Sequence, residues 1–287
     1  MTHLIRPRRS VLYLPGSNAR AIEKARDLPV DAIILDLEDA VGPDAKELAR
    51  AQVCDAVKRG GFGKREIVIR INALTTQWGE VDLAAAVAAG PDAILIPKVS
   101  KAGDLCAPQG AIGERHIALW AMIETPRAVL DISSIAGAGG KLSCLVVGTN
   151  DLLKDLRGKE MPGRANLIAA LGLCVAAARA FGLAAIDGVF NDISDMEGFR
   201  ESCRQGRAFG FDGKSLIHPS QIETCNKLFA PSREELENAR KIIAAFERPE
   251  NDGKGAIAQD GRMIERLHLD AARAIVALGQ TIDASSN

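Results

Sequence analysis

Eight short apolar runs recur along the chain, and stretches with helical spacing separate them. The runs are SVLYL (10–14), AIILDL (32–37), EIVIRI (66–71), AILIP (93–97), IALWAMI (117–123), CLVVG (144–148), AAID (184–187) and KSLI (214–217). Several are rich in Val and Ile with little polar alternation, the pattern of parallel strands buried on both faces. The stretch PDAKELARAQVCDAVKR after the second run opens on Pro43, at a helix start where the missing N–H costs nothing. Strand–helix alternation repeated eight times predicts an α/β protein of the (β/α)8 TIM-barrel class. An open doubly wound sheet is the competing arrangement. Its GxGxxG turn is absent after the first run.

Beyond the eighth run the pattern changes, so the chain reads as a barrel over 1–230 and a helical extension over 231–287. The 287 residues, 47% of them hydrophobic, suffice for one full core. Ser232 to Glu235 (SREE) is a capping box opening a helix through Phe246. RPENDGKGAIAQDG (248–261) reads as a polar loop, and a last helix is expected from about Met263 to Ile282. The stretch GRMIERLHLD (261–270) then forms the first turns of an amphipathic helix, with Met263, Ile264 and Leu267 toward a core. This tail is expected to cover a barrel mouth, on its own subunit or a neighbour.

Charge and composition narrow the function. A net charge of −1 and 4% aromatic residues point away from a nucleic-acid platform. The basic run Arg6, Arg8, Arg9 is short and reads as a solvated leader. No apolar run approaches the roughly 20 residues of a membrane span, and the start has no hydrophobic stretch of signal type. Six scattered cysteines without a CxxC pair read as reduced thiols of a cytoplasmic protein.

In such a barrel the active site forms at the C-terminal ends of the strands. Those ends carry Asp36, Glu38 and Asp39, then Arg70 and Asn72, Lys98, Glu124, Asn150 and Asp151, Asp187 and His218. A carboxylate-rich set without Cys favours a hard cation such as Mg²⁺. Glu124 and Asp151 are the best pair, because strands five and six adjoin. The same positions also suit carboxylates that only cap helices. Arg70, inside an apolar strand, either pairs with the acids of the second strand end or presents its guanidinium to a substrate carboxylate or an oxyanion. Lys98 reads as an ion-pair partner ahead of a Schiff-base lysine. His218 reads as a capping or packed residue. Gly16 opens a loop before a helix start, where backbone amides with Arg20 and Lys24 suit a phosphate-bearing ligand.

The motifs SVLYLPGSN, IILDLEDAV, VIRINAL, ILIPKV, MIETP, VVGTNDL, AIDGVFNDISD and GFDGKSLIHPSQI occur in this order. Together they resemble the citrate lyase β-subunit-like acyl-CoA lyases of the HpcH/HpaI superfamily, which include the malyl-CoA and citramalyl-CoA lyases. The resemblance runs from about Ser10 to the chain end. It implies reversible, Mg²⁺-dependent cleavage of a 3-hydroxyacyl-CoA, citramalyl-CoA or malyl-CoA, into acetyl-CoA and pyruvate or glyoxylate, with Mn²⁺ as a substitute metal. On that resemblance Glu124 and Asp151 ligate the metal and Arg70 faces the thioester carbonyl. Tyr13, Gly16, Arg20 and Lys24 border the CoA arm, and Asp36, Glu38, Asp39 and Lys98 support the site. The family's proton-transfer acid lies in a tail motif close to MID; here it reads Met263, Ile264, Glu265, one methylene longer. A homo-oligomer, trimer or hexamer, is implied as well. Two alternatives stay open: a citrate lyase β subunit acting on a citryl thioester, and a catalytically impaired CoA-ester-binding relative.

Overall fold

The structure, a computed structural model, describes residues 6–259 and 261–286. Eight parallel strands close a barrel in chain order: β1 (Ser10–Pro15), β2 (Ala32–Asp36), β3 (Glu66–Arg70), β4 (Ala93–Ile96), β5 (Ala118–Ile123), β6 (Leu142–Val147), β7 (Ala184–Asp187) and β8 (Gly213–Leu216). β8 pairs back onto β1 through Ser10–Lys214, Val11–Ser215 and Leu12–Leu216. The TIM-barrel expectation holds, and the open sheet is excluded. Around the strands run α1 (Ala19–Lys24), α2 (Lys46–Arg59), α3 (Gly79–Ala89), α4 (Cys106–Ile112), α5 (Pro126–Leu130), α6 (Ile132–Ala136), α7 (Thr149–Asp155), α8 (Ile168–Ala180), α9 (Met196–Phe209) and α10 (Ile222–Phe229).

Alternate residues of the strands fill the barrel. Val11, Ile34, Val68, Leu95, Trp120, Met122, Cys144, Val146 and Ile186 form one buried cluster, with Tyr13 packed against it. Strand register then decides which side chains meet at the mouth. Pro15, Asp36 and Arg70 are ladder partners on β1, β2 and β3. On the other side Ile123 of β5 pairs with Val147 of β6. The residues that follow, Glu124 and Gly148, therefore leave the sheet side by side.

Several strand ends differ from the apolar runs. β2 stops at Asp36 and β3 at Arg70, although Leu37 and Ile71 continue the hydrophobic pattern and are fully buried. Burial outlasts the ladder where the chain turns into the mouth. β6 starts earlier than its run, at Leu142.

The chain divides into two compact units, Arg8–Lys227 and a second that joins the N-terminal segment ending at Pro7 to the chain from Leu228 onward. In the second unit Ser232 caps α11 (Arg233–Phe246), its side chain accepting from Glu235 N–H at 3.1 Å while Glu235 returns a 2.7 Å bond to Ser232 N–H. The expected loop and helix start are replaced by an antiparallel hairpin, β9 (Ala256–Gln259) and β10 (Arg262–Glu265). α12 (Arg266–Ser286) begins only after Glu265. Ile257 from the hairpin and Leu269 from α12 pack with Ala245 and Phe246, and Ile264 joins them. The missed signal was the Asp260–Gly261 pair between AIAQ and RMIE, since Asp-Gly between two apolar-alternating runs marks a two-residue hairpin turn. Gly261 has φ 75°, as that turn requires. Met263 and Leu267 are largely exposed rather than facing a core.

Candidate active site

A cavity of about 320 Å³ opens at the C-terminal ends of the strands, and Tyr13, Asp36, Asp39, Arg70, Glu124 and Asp151 are among its lining residues. Arg70 projects from the end of β3 and is almost fully buried. Its Nε and Nη2 donate to the two oxygens of Asp36, each at 2.6 Å. Nη1 stands 2.8 Å from Glu38 Oε2 and 3.6 Å from Asp39 Oδ2. The guanidinium carbon lies 5.0 Å from the centre of the Tyr13 ring, a cation–π contact. Asp36 also accepts from the N–H groups of Glu38 and Ala40 at 2.9 and 3.0 Å. A bidentate carboxylate leaves the guanidinium little rotational freedom, so Arg70 is aimed as well as neutralised.

Two carboxyl groups in this region are shifted toward the neutral form. Burial pushes Glu38 up to about 8, and Glu124 and Asp39 add to it while Arg70 opposes it. Burial likewise raises Glu124 to about 7, against the pull of Lys98 and Arg70. For Asp151, half-buried, desolvation would raise the pKa, but the hydrogen bond and charge of Lys98 outweigh it and the net shift is downward. Burial raises the Tyr13 phenol despite the nearby Arg70 cation.

Glu124 is not a helix cap. Thr125 caps α5, its Oγ1 accepting from Ala128 N–H at 3.0 Å. Glu124 Oε1 instead accepts from Lys98 N–H at 2.6 Å, while Oε2 is buried without a hydrogen bond, with Lys98 Nζ 3.6 Å away. Lys98 Nζ also donates to Asp151 Oδ2. Gly148 explains the closeness of the fit: a Cβ there would lie 2.5 Å from Glu124 Cβ and 2.7 Å from its Oε2. Among the described residues no group of three or more His, Cys, Asp or Glu converges on one point. Two carboxylates, one with an unpartnered buried oxygen, fit Mg²⁺ better than a metal needing a full protein cage. Mg²⁺ keeps several waters and takes one or two carboxylates.

Other expected site residues fall elsewhere. Arg20 and Lys24 are exposed on α1, and Gly16 is buried; none lines the cavity. At Gly16 a Cβ would meet Asp36 O at 2.7 Å, so the glycine serves close packing of the loop onto β2. Asn18 Oδ1 already caps Ala21 N–H at 3.0 Å. Asn150 exchanges amide hydrogen bonds with Asn191 at 3.1 and 2.9 Å. His218 caps the turn Pro219–Gln221, with Nδ1 accepting from Ser220 N–H at 3.2 Å. Asp187, at the end of β7, is held by Arg164 at 2.6 Å and by Lys214 of β8 at 2.8 Å. Glu265 ends β10; its N–H donates to His268 Nδ1 at 3.0 Å.

Two buried lysines were missing from the sequence reading. Lys46 Nζ donates to Leu37 O, Glu38 O and Asn72 Oδ1 at 2.7–2.8 Å, pinning the turn that carries Glu38. Burial lowers its pKa. Lys214 is fully buried on Asp187. Lys46 sits in an ordinary amphipathic helix pattern, so its sequence context carried no signal. Lys214 alternates with Leu216 on an apolar strand, the same anomaly that exposed Arg70.

A family model described as HpcH/HpaI aldolase/citrate lyase matches residues 9–219. A (3S)-malyl-CoA thioesterase of Cereibacter sphaeroides is 48% identical over 284 residues, covering 99% of each chain. A citrate lyase subunit beta of Leuconostoc mesenteroides subsp. cremoris is 34% identical over 296 residues, covering 98% of this chain and 97% of the relative. The crystal structure of CitE from Mycobacterium tuberculosis in complex with magnesium, acetoacetate and coenzyme A superposes with a TM-score of 0.75 at 30% identity, covering 96% of this chain and 98% of that one.

Proposed function

The chain belongs to the HpcH/HpaI aldolase/citrate lyase family, and on that premise we propose that it is a Mg²⁺-dependent carbon–carbon lyase for a malyl-CoA-type 3-hydroxyacyl-CoA. The observation that carries this reading is that one cavity holds two opposite poles. At one stand the carboxylates of Glu124 and Asp151, which would hold a divalent cation. At the other, Arg70 is aimed by Asp36. Of the two expected esters, malyl-CoA is favoured over citramalyl-CoA by the 48% identical relative, a (3S)-malyl-CoA thioesterase.

Bound there, Mg²⁺ would supply Lewis acidity and a template for the carboxylate and hydroxyl of the acid portion. Arg70 then faces the thioester oxygen, where negative charge grows as the C2–C3 bond breaks and acetyl-CoA leaves as its enolate. A guanidinium already fixed in place stabilises that charge without reorganising. Asp36 and Glu38 hold Arg70 in position, and Lys46 holds the turn that carries Glu38. The C3 hydroxyl gives its proton to solvent as it becomes the carbonyl of the oxo acid, and the enolate carbon must take one up. On the resemblance to family lyases that donor would be Glu265 of the tail, and Tyr13 and the Gly16 loop, with Arg20 and Lys24, would border the CoA arm.

A second reading is hydrolysis of the same thioester to malate and free CoA. It is favoured by the thioesterase relatives and by Glu265, where the lyase resemblance expects Asp. Here Arg70 stabilises the tetrahedral oxyanion formed by water, and the acid portion is bound as before. The test is incubation of the purified chain with (3S)-malyl-CoA and Mg²⁺ with product analysis. Acetyl-CoA and glyoxylate establish the lyase, and malate with free CoA establishes the hydrolase. An unreacted substrate removes both.

A further inference from the structure

Lys98 follows β4 with φ 54°, a left-handed conformation that is strained for a residue carrying a Cβ. In this conformation one residue reaches both candidate metal ligands. Its N–H donates to Glu124 Oε1 at 2.6 Å, and its ammonium joins Asp151 Oδ2 and stands 3.6 Å from the unpartnered Glu124 Oε2. Strained backbone held against a pair of carboxylates points to a local function. The backbone bond fixes Glu124 without using the side chain. The ammonium can therefore leave its carboxylate partners without releasing Glu124 Oε1, and the side chain is 35% exposed, so water lies within its reach.

The ammonium and a divalent ion cannot both occupy the space between these carboxylates. Like charges this close repel strongly at the effective dielectric near a protein surface, and a doubly charged ion doubles the repulsion. We propose that Lys98 is a built-in competitor for the metal: its ammonium is the counter-ion of Glu124 and Asp151 and is exchanged for Mg²⁺ when the enzyme is loaded. This rests on the assignment of the metal to those two residues. It makes Lys98 a positioning residue that sets metal affinity, beyond an inert ion pair.

The exchange has a consequence for substrate order. Mg²⁺, the displaced ammonium and the two carboxylates sum to a charge of +1 at the mouth. That favours an anionic ligand, so a small oxo acid and Mg²⁺ should each tighten the other's binding by the same factor.

The test is direct metal titration by calorimetry of wild type and Lys98→Met, with and without glyoxylate. We expect Lys98→Met to bind Mg²⁺ at least tenfold more tightly than wild type and to show weaker coupling to glyoxylate. Equal or weaker Mg²⁺ binding by the variant would overturn the proposal, because a merely structural ion pair predicts that. Wild type that binds no Mg²⁺ would instead overturn the metal assignment itself. A second measurement needs no variant: acetylation of amines in wild-type protein, read by mass spectrometry. Mg²⁺ should increase labelling of Lys98 by freeing it from Asp151; unchanged or reduced labelling contradicts the exchange.

Discussion

Asp36 and Arg70 end neighbouring strands at one register position, and their side chains meet through two parallel N–H···O bonds of 2.6 Å. Ladder pairing alone places them together, so the orientation of Arg70 is built into the barrel. Arg70→Lys keeps the charge but loses the two-pronged geometry. Steady-state kinetics should show kcat falling on the order of 10²–10³-fold with KM little changed. Asp36→Asn should lower kcat in the same direction. It should also cost about 3–5 kcal/mol in urea unfolding, because it leaves a buried cation undercompensated. Unchanged kcat in both variants would remove Arg70 from the chemistry.

The metal site makes a prediction that runs through a glycine. Gly148→Ala places a methyl group 2.5 Å from Glu124 Cβ, so the Glu124 carboxylate must shift. Mg²⁺ affinity should fall at least tenfold, approaching that of Glu124→Gln, while the far-ultraviolet circular dichroism stays that of the wild type. Wild-type metal affinity in Gly148→Ala would mean that Glu124 is not a ligand.

Acid stability should depend on Asp187. Full burial alone would raise its pKa, but Lys214 and Arg164 outweigh burial and hold it below the ordinary 3.8. Because its folded pKa is depressed, Asp187 contributes stability above its unfolded value and loses it as pH falls through that value toward the folded one. Asp187→Asn should therefore be markedly less stable than wild type at pH 7, with the difference narrowing below about pH 4. Melting curves across that range check the sign; a difference that widens in acid would refute it.

Glu265→Gln should abolish exchange of the acetyl-CoA methyl protons with solvent while CoA binding, read by calorimetry, persists. Glu265→Asp should raise carbon–carbon cleavage if the shorter family side chain is the better proton carrier. Continued exchange in Glu265→Gln would assign proton transfer to another group.

The barrel was legible because each buried strand needs a continuous apolar run and each run survives in the sequence. Arg70 was legible for the opposite reason, as a cation where apolar residues belong. The rule that barrel sites form at strand ends points to the metal candidates, and packing separates their roles: Thr125, not Glu124, caps α5. What failed was local. The Met263–Leu267 stretch has helical spacing, yet Met263–Glu265 pair with Ala256–Ala258 in an antiparallel ladder. Lys46 could not be found at all, since its three acceptors include two backbone carbonyls, and carbonyls leave no trace in a sequence.

The central claim is that one cavity joins a Mg²⁺ pole at Glu124 and Asp151 to an oxyanion pole at Arg70 for a malyl-CoA-type thioester. The most direct measurement follows (3S)-malyl-CoA with the purified chain by mass spectrometry, in Mg²⁺, in EDTA, and with Glu124→Gln. The account predicts acetyl-CoA and glyoxylate in equal amounts with Mg²⁺, none in EDTA, and a loss of at least 10²-fold in the variant. Undiminished turnover in EDTA, or in Glu124→Gln, would contradict it.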